Sequence, residues 1–339
     1  MRPLLFATTD EVVSQNLSVF SPASPQAESI RGLFILVLAI TGGIFLLVEA
    51  VLVYTLVHNR RRAAAGEAEP PQVYGSTPIE LAWTAAPLLI VFVLFLIVAR
   101  TEWEVRPGPD DPPPPGSQPL YVTVIGRQWW WEYIYETYDG REWHVTTANE
   151  LHVPASDDGV PRPVYLTLKS ADVIHSFWVP RLAGKTDLIP GRVNRTWFQT
   201  AERGVFLGQC AEFCGTQHAN MLLRVVAEEP AEFERWLANE AKPAVDEPAA
   251  AAGKRAFLAQ SCVNCHAVRG TPARGTYAPD LTHLMTRKTL ASGMVANSPE
   301  ELRRWLADPQ PVKPGCLMPS FKLSDRDLDL ITGYLRTLR

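Results

Sequence analysis

The sequence predicts a multidomain membrane protein in which two membrane-spanning helices precede an all-β unit and an all-α unit. Two long apolar runs in the first third of the 339 residues predict the membrane part. In the middle third, short segments rich in β-branched and aromatic residues alternate with turn residues, which predicts a sandwich or barrel. Helix-start signals predict a helical unit at the end.

The apolar runs cover residues 33–57 and 79–99, and each carries one acidic residue, Glu49 and Glu80. About 20 apolar residues span a bilayer as a helix. We therefore predict a transmembrane hairpin within residues 30–106. Glu49, which lies inside the first run, should face protein rather than lipid.

Residues 1–29, before the spans, are polar and contain no apolar run long enough for a signal peptide. We expect an N-terminal extension that is not cleaved. Arg60 to Arg62 open the connection between the spans. Because cytoplasmic loops are enriched in positive charge, we expect this connection in the cytoplasm and both soluble units on the outer side.

Residues 107–119 form a linker, because the unbroken row Pro112 to Pro115 is stiff and extended. The all-β unit, called the β unit below, is predicted to cover residues 120–228. Its predicted strands are residues 121–125, 129–135, 164–168, 173–179, 195–199 and 222–226.

Residues 229–252 are predicted to form a helix, at 231–240, and a Pro/Ala-rich linker. The all-α unit, called the helical unit below, covers residues 253–339 and carries 13 Lys and Arg against 7 Asp and Glu, whereas the rest of the chain carries 19 against 29. A basic unit could dock on an acidic surface nearby. Its predicted helices are residues 254–260, 298–307, which opens with a capping box, and 325–338.

Four soft or borderline metal ligands lie within twelve residues, in the order Cys210, Cys214, His218, Met221. Thiolate and thioether ligands select copper of low charge, and imidazole suits copper generally. A disulfide over three intervening residues would be strained, and a zinc half-site would not need the methionine. The loop therefore favours copper.

One more ligand is expected from outside this loop. His175 is the best candidate because it lies at a predicted strand end, whereas His144 and His152 lie in polar, turn-rich sequence. A single-copper electron-transfer site uses one cysteine. Two cysteines in one loop exceed that number, and two thiolates can bridge two coppers.

Cys262, Cys265 and His266 form the motif C-x-x-C-H, which is typical of covalent haem c. In such sites both sulfurs form thioethers and the histidine is an axial iron ligand. Met318, in a loop fixed by prolines, is the candidate for the opposite axial position. Methionine opposite histidine raises the haem potential, as an electron carrier requires.

Other residues of the helical unit compete for that axial position. We expect Met285 and Met294 to serve packing, and His283 to lie at the surface or behind a ligand. Cys316 is a nearby alternative to Met318, although its spacing from the following proline fits less well. Because four of the five cysteines fall in ligand-type pairs, we predict no disulfide.

The loop from Cys210 to Met221, with His175 upstream, resembles the dinuclear copper centre of cytochrome c oxidase subunit II. The order of two spans, β unit and haem c motif resembles the oxidase variant whose subunit II carries a fused cytochrome c, from about residue 30 to 339. The resemblance implies a cupredoxin-like sandwich and a cytochrome c domain. It also implies that Cys210 and Cys214 bridge two coppers, that His175 and His218 each bind one, and that Met221 completes one sphere.

Further roles come from the same resemblance. The carbonyl of Glu212 would bind copper, and its side chain would reach a magnesium ion shared with subunit I. Trp129 follows a glutamine in an aromatic run and would receive electrons from cytochrome c, although the family commonly has tyrosine where Trp130 stands. Glu80 would lie at the cytoplasmic mouth of a proton channel; otherwise it is an interfacial carboxylate at a helix start.

The implied protein is subunit II of a respiratory haem–copper oxidase in the bacterial inner membrane. It would pass electrons from cytochrome c, or from its own haem c, through the copper pair to subunit I, where oxygen is reduced to water with proton translocation. Subunit III, a cytochrome c-like donor and membrane lipid are further expected partners, and nucleic acid is not. Two alternatives are the electron-accepting subunit of a copper-containing nitric oxide reductase and, in a different class, a copper-delivery protein.

Overall fold

The computed structural model describes residues 17–66, 74–106 and 113–339. The described residues form two compact units, one within residues 28–106 and the other made of residues 17–27 and 113–339. The β unit and the helical unit thus belong to one compact body. Each nevertheless has a separate hydrophobic core.

The first compact unit contains two long helices, α1 (Pro25–Ala64) and α2 (Thr77–Val105). Their apolar stretches, Pro25–Arg61 and Thr77–Val105, have mean hydropathies of 2.6 and 2.7 and bury none of their most apolar windows within the protein. Large aliphatic side chains such as Leu46 and Leu88 are mostly exposed. Such surface is stable in lipid, so the two predicted spans are confirmed as apolar helices of membrane-spanning length.

The β unit is a sandwich of two five-stranded sheets, ordered β3-β2-β1-β5-β8 and β4-β10-β9-β6-β7. The predicted all-β class is confirmed. The strands are β1 (Leu120–Arg127), β2 (Trp130–Tyr138), β3 (Arg141–Ala148), β4 (Glu150–Pro154), β5 (Val164–Ser170), β6 (His175–Trp178), β7 (Thr186–Leu188), β8 (Asn194–Phe198), β9 (Gly204–Cys210) and β10 (Leu222–Glu228).

Four strands lie outside the predicted segments, namely β3, β4, β7 and β9. β3 is mostly polar, and β9 contains two glycines, so neither shows the usual β-rich composition. β9 pairs with β10 and β6, and at Gly208 an added Cβ would lie 2.6 Å from the carbonyl oxygen of Trp178. Close packing of these strands therefore requires a glycine at this position. The same glycine makes the segment look unlike a strand in the sequence.

Helix α3 (Pro230–Glu240) closes one end of the sandwich. Phe233 and Leu237 are fully buried in the β unit core, and Trp236 lies edge-on to Tyr135 with ring centroids 5.2 Å apart. The linker helix is thus part of the β unit core rather than a free connection.

The helical unit contains α4 (Ala251–Ala259), the single turn α5 (Cys262–Cys265), α6 (Pro299–Ala307) and α7 (Asp325–Leu335), with a short hairpin, β11 (Thr289–Leu290) and β12 (Val295–Ala296). The predicted cap of α6 is present, since the Ser298 side chain accepts from the Glu301 amide. The last helix ends at Leu335, three residues before its predicted end. Between α5 and α6 the chain is largely irregular. The core of the helical unit therefore depends on side-chain packing around a cavity.

Candidate metal centres

The sandwich brings the two halves of the copper site together. His175 opens β6 and Cys210 closes β9, and these antiparallel strands pair Phe177 with Cys210. The loop then returns so that the Cys210 amide donates to the Met221 carbonyl. Residues 35 positions apart thereby meet at one end of one sheet.

The donor atoms cluster around two sulfurs. Those of Cys210 and Cys214 are 3.8 Å apart, beyond a disulfide bond of about 2 Å. Nδ1 of His175 lies 3.9 Å from the Cys210 sulfur, and Nδ1 of His218 lies 3.7 Å from the Cys214 sulfur. The Met221 sulfur is 3.8 Å from that of Cys214. The structure therefore brings all five predicted side chains to one place.

The electrostatics of this pair fit a bound cation. The pKa of the Cys210 thiol is lowered, chiefly by its hydrogen-bond contact with the Cys214 sulfur, and the same contact raises the pKa of the Cys214 thiol. Two thiolates at this separation repel each other, so both ionise together only beside a positive charge. With two imidazoles and a thioether, the donor set suits copper.

Asp172 holds His175 in place and was not singled out from the sequence. Its Oδ1 lies 2.7 Å from His175 Nε2, and its Oδ2 accepts from the Gln128 amide at 2.7 Å. A carboxylate on the far ring nitrogen fixes the orientation of a ligand histidine. The spacing of three residues between Asp172 and His175 was the available signal.

The backbone carbonyl and the side chain of Glu212 point to different surroundings. Its carbonyl oxygen lies 3.2 Å from the Cys210 sulfur, beside the donor cluster. Its carboxylate points outward, where it is 43% exposed and lies 3.7 Å from the Lys185 amino group. The backbone therefore faces the metal site, and the side chain faces the surface.

The haem motif lines a cavity whose walls are mostly apolar. Cys262, Cys265, His266 and Met318 all border it. His266 Nδ1 is 2.7 Å from the Pro279 carbonyl oxygen, a contact in which this nitrogen donates and Nε2 keeps its lone pair. Burial lowers the pKa of His266, which favours the neutral imidazole that an iron ligand requires. These residues fit a covalent haem.

The Met318 loop is held by Gln310. Its Nε2 donates to the carbonyls of Cys316 and Met318, at 3.0 and 3.1 Å, and its Oε1 accepts from the Gly315 amide at 2.8 Å. Cys316 also borders the cavity, and burial raises its pKa, which disfavours the thiolate that binds metal. No pattern in the sequence indicated this role of Gln310.

The competing histidines and Met285 have other contacts. Both ring nitrogens of His283 face backbone carbonyls, of Arg339 and Lys242, and the residue is buried, so the surface position, one of the two expected for it, was wrong. His152 is paired with Glu228 and stacked on Trp236. Met285 packs against the helical core.

Trp129 touches the copper loop directly. Its indole Nε1 donates to the Cys214 carbonyl at 2.9 Å, and the Gln128 side chain donates to the same oxygen at 2.7 Å. Gly215 permits this approach, because an added Cβ would lie 3.1 Å from the indole ring. Trp129 is half-buried, whereas Trp130 and Trp131, the next two residues, are both buried.

Glu80 lies in the first turn of α2, where its carboxylate accepts from the Ser76 amide at 3.4 Å. This contact fits the local role at a helix start that was considered for Glu80. The role at the mouth of a proton channel stays a prediction. Glu49 lies within α1.

Three family models match the chain. Residues 13–98 match the transmembrane domain of cytochrome c oxidase subunit II, residues 120–228 match its periplasmic domain, and residues 250–339 match cytochrome c.

Curated relatives match over most of the chain. Cytochrome c oxidase subunit 2 of Alkalihalophilus pseudofirmus is 35% identical over 99% of this chain and 96% of that protein. The subunit 2 of Bacillus sp. PS3 is 33% identical over 83% and 80%. Among solved structures, the periplasmic domain of subunit II of cytochrome oxidase from Bradyrhizobium japonicum is 34% identical, covers 36% of this chain and 92% of that one, and has a TM-score of 0.32.

Proposed function

This chain belongs to the cytochrome c oxidase subunit II family, and from that premise we propose that its β unit and helical unit form one electron relay. As a member of the family it is a component of a haem–copper oxidoreductase complex with a fused cytochrome c domain. The subunit passes electrons from cytochrome c, or from its own haem c, through copper to subunit I, where oxygen is reduced to water with proton translocation.

The copper half of the proposal assigns two ions to the β unit. Cys210 and Cys214 would bridge them, His175 and His218 would each bind one, and Met221 would complete one sphere. When bound, such a pair supplies a one-electron carrier. The chain's own part is to hold the five side chains in a buried, rigid sheet end, which limits reorganisation when the charge changes.

Glu212 would serve two ions. Its carbonyl, beside the Cys210 sulfur, would complete the second copper sphere. Its outward carboxylate would bind magnesium at the contact with subunit I, where the cation would displace the present Lys185 contact.

The helical half would hold haem c through Cys262 and Cys265, with His266 and Met318 as axial ligands. The contact of His266 with Pro279 and the clamp of Gln310 on the Met318 loop support these assignments, because both fix a ligand from behind. The family's fused cytochrome c domain implies this cofactor.

The remaining assignments concern the route and the surroundings. Trp129 would be the residue through which electrons reach copper, supported by its contact with the Cys214 carbonyl. Glu80 would lie at the mouth of a proton channel in subunit I. We place the chain in the bacterial inner membrane with residues 107–339 on the outer side, together with subunits I and III and a cytochrome c-like donor.

One observation carries the proposal: a C-x-x-C-H cavity and a two-thiol donor cluster lie in one compact body. The test is to purify the chain with its partner subunits and to count copper and haem c per chain. We expect two coppers, one haem c and oxygen uptake driven by reduced cytochrome c. One labile copper without haem would instead support copper delivery.

A further inference from the structure

The β unit and the helical unit share an interface made of buried polar contacts. Glu150, 1% exposed at the start of β4, accepts from the Lys288 amide at 2.9 Å and from the Thr289 hydroxyl at 2.6 Å. Ser292, also buried, donates to the Leu222 carbonyl at 2.9 Å. Buried polar groups require such partners, so these contacts specify one docked arrangement.

Lys313 is the most unusual group at this interface. It is 3% exposed, and its amino group donates to the carbonyls of Trp129, Asn220 and Ala291 at 2.7, 3.0 and 3.2 Å. An ammonium has three N–H donors, and here each has a carbonyl acceptor. Two of these acceptors belong to the β unit, beside the indole and the copper loop, and one belongs to the helical unit.

Placing an amino group here is costly. Burial lowers the pKa of Lys313 to about 7, and its amino group donates to carbonyl oxygens rather than to a carboxylate. A methionine or leucine would fill the same space without this desolvation. The three carbonyls therefore indicate a specific orienting role.

The residues after Lys313 extend the same contact. The Pro314 carbonyl accepts from the Gln217 side chain. Gly315, at a φ of +81°, lies so close to Thr216 that an added Cβ would be 3.3 Å from its methyl carbon. The loop that carries Met318 thus packs against the loop that carries the copper ligands.

The docked arrangement places the haem cavity against the aromatic run of the β unit. Gln128, Trp129, Trp130 and Asn149 line the same cavity as Cys262 and His266. Any shift of the helical unit would move this wall away from the cavity. The distance from the haem pocket to Trp129 therefore depends on the interface contacts.

We propose that Lys313 is a positioning residue that locks the helical unit onto the Trp129 face of the β unit and so holds the haem pocket against that tryptophan. The functional consequence of this lock rests on the proposed relay, whereas the lock itself concerns only how the helical unit docks on the β unit. It acts through backbone carbonyls rather than through charge pairing between a basic and an acidic surface.

The test is amide hydrogen exchange of the full-length chain with its cofactors bound, read by mass spectrometry. The reporters are peptides around Lys288, whose amide donates across the interface, and the internal reference is α7. In the Lys313→Met variant the reporter amides should exchange about tenfold faster, while α7 is unchanged, because charge-assisted hydrogen bonds to three carbonyls are lost. The exposed Lys322→Met variant is the matched control and should exchange as the wild type does.

A second variant guards against misfolding. If Lys313→Met also accelerates exchange in α7, the result is taken from Glu150→Gln, which changes only the β unit side and should accelerate exchange around residues 313–319. Unchanged exchange at the interface in Lys313→Met, or in Glu150→Gln where that variant decides, would overturn the lock. Copper and haem are counted in the same samples, so wild-type protein that binds neither cofactor yet exchanges slowly at the interface would refute the relay and leave the docking result standing.

Discussion

The copper loop and the haem pocket are two metal sites built on opposite principles. In the β unit, the ligand atoms of His175, Cys210 and Cys214 already lie within 4.8 Å of one another, and the first two are on strands whose register is fixed by sheet pairing. In the helical unit, Cys262 and Met318 both line a cavity. In the first site the protein core positions the ligands, whereas in the second the cofactor must itself fill part of the core.

This difference follows from secondary structure. The copper ligands lie at the end of one sheet of a sandwich that has a large buried core of its own. The helical unit has a smaller core and a largely irregular segment between α5 and α6. An apolar cavity loses packing contacts and costs stability roughly in proportion to its size. Cofactor loss should therefore affect the two units unequally.

The largest effect is expected from blocking haem attachment. In the Cys262→Ala/Cys265→Ala double variant the helical unit should lose its cooperative fold, a loss comparable with the whole stability of a small domain, about 5 kcal/mol or more. The β unit should stay folded. Hydrogen exchange in α6 and α7, compared with β1 and β2, measures this difference. Retained protection in α7 would show that the cavity does not need its cofactor.

The next effect concerns copper. Cys210→Ser should abolish the two-copper site while the sandwich remains folded, because its core does not depend on the metal. Cys316→Ser is the control and should retain two coppers. Metal analysis and thermal unfolding report the two properties separately. Collapse of the sandwich on loss of copper would remove the contrast between the two sites.

A smaller change is expected at the axial position. Met318→Leu should lower the haem potential by on the order of 100 mV, because the thioether that favours reduced iron is lost. Met285→Leu, which alters packing in the same core, should leave the potential nearly unchanged. Redox titration of the haem band measures both. An equal shift in both variants would reject Met318 as the ligand.

The smallest effect tests the residue behind His175. Asp172→Asn should weaken copper binding by roughly 10- to 100-fold, because the ring is no longer held by a carboxylate. Asp139→Asn, in an exposed turn, serves as the control. Competition with a chelator measures the affinity. Copper binding as tight as in the wild type would mean that sheet geometry alone orients His175.

The sequence predicted well those features that short-range chemistry dictates. The spacing of Cys210, Cys214 and His218 and the C-x-x-C-H motif identified both sites, and apolar run length identified α1 and α2. It predicted poorly what depends on partners distant in the chain. The glycines of β9 are explained only by the neighbouring strands, and the carbonyl partners of Lys313 are 22 to 184 residues away in the chain, so no local pattern indicates them.

The central claim is that the two sites form one intramolecular relay, and the most direct test follows a single electron. The oxidised full-length chain with both cofactors is reduced at its haem by a light pulse, and the haem and copper signals are followed together. The account predicts that haem reoxidation and copper reduction share one rate, which stays constant on about tenfold dilution because the donor and acceptor are in the same chain. A rate that falls in proportion to protein concentration would contradict it.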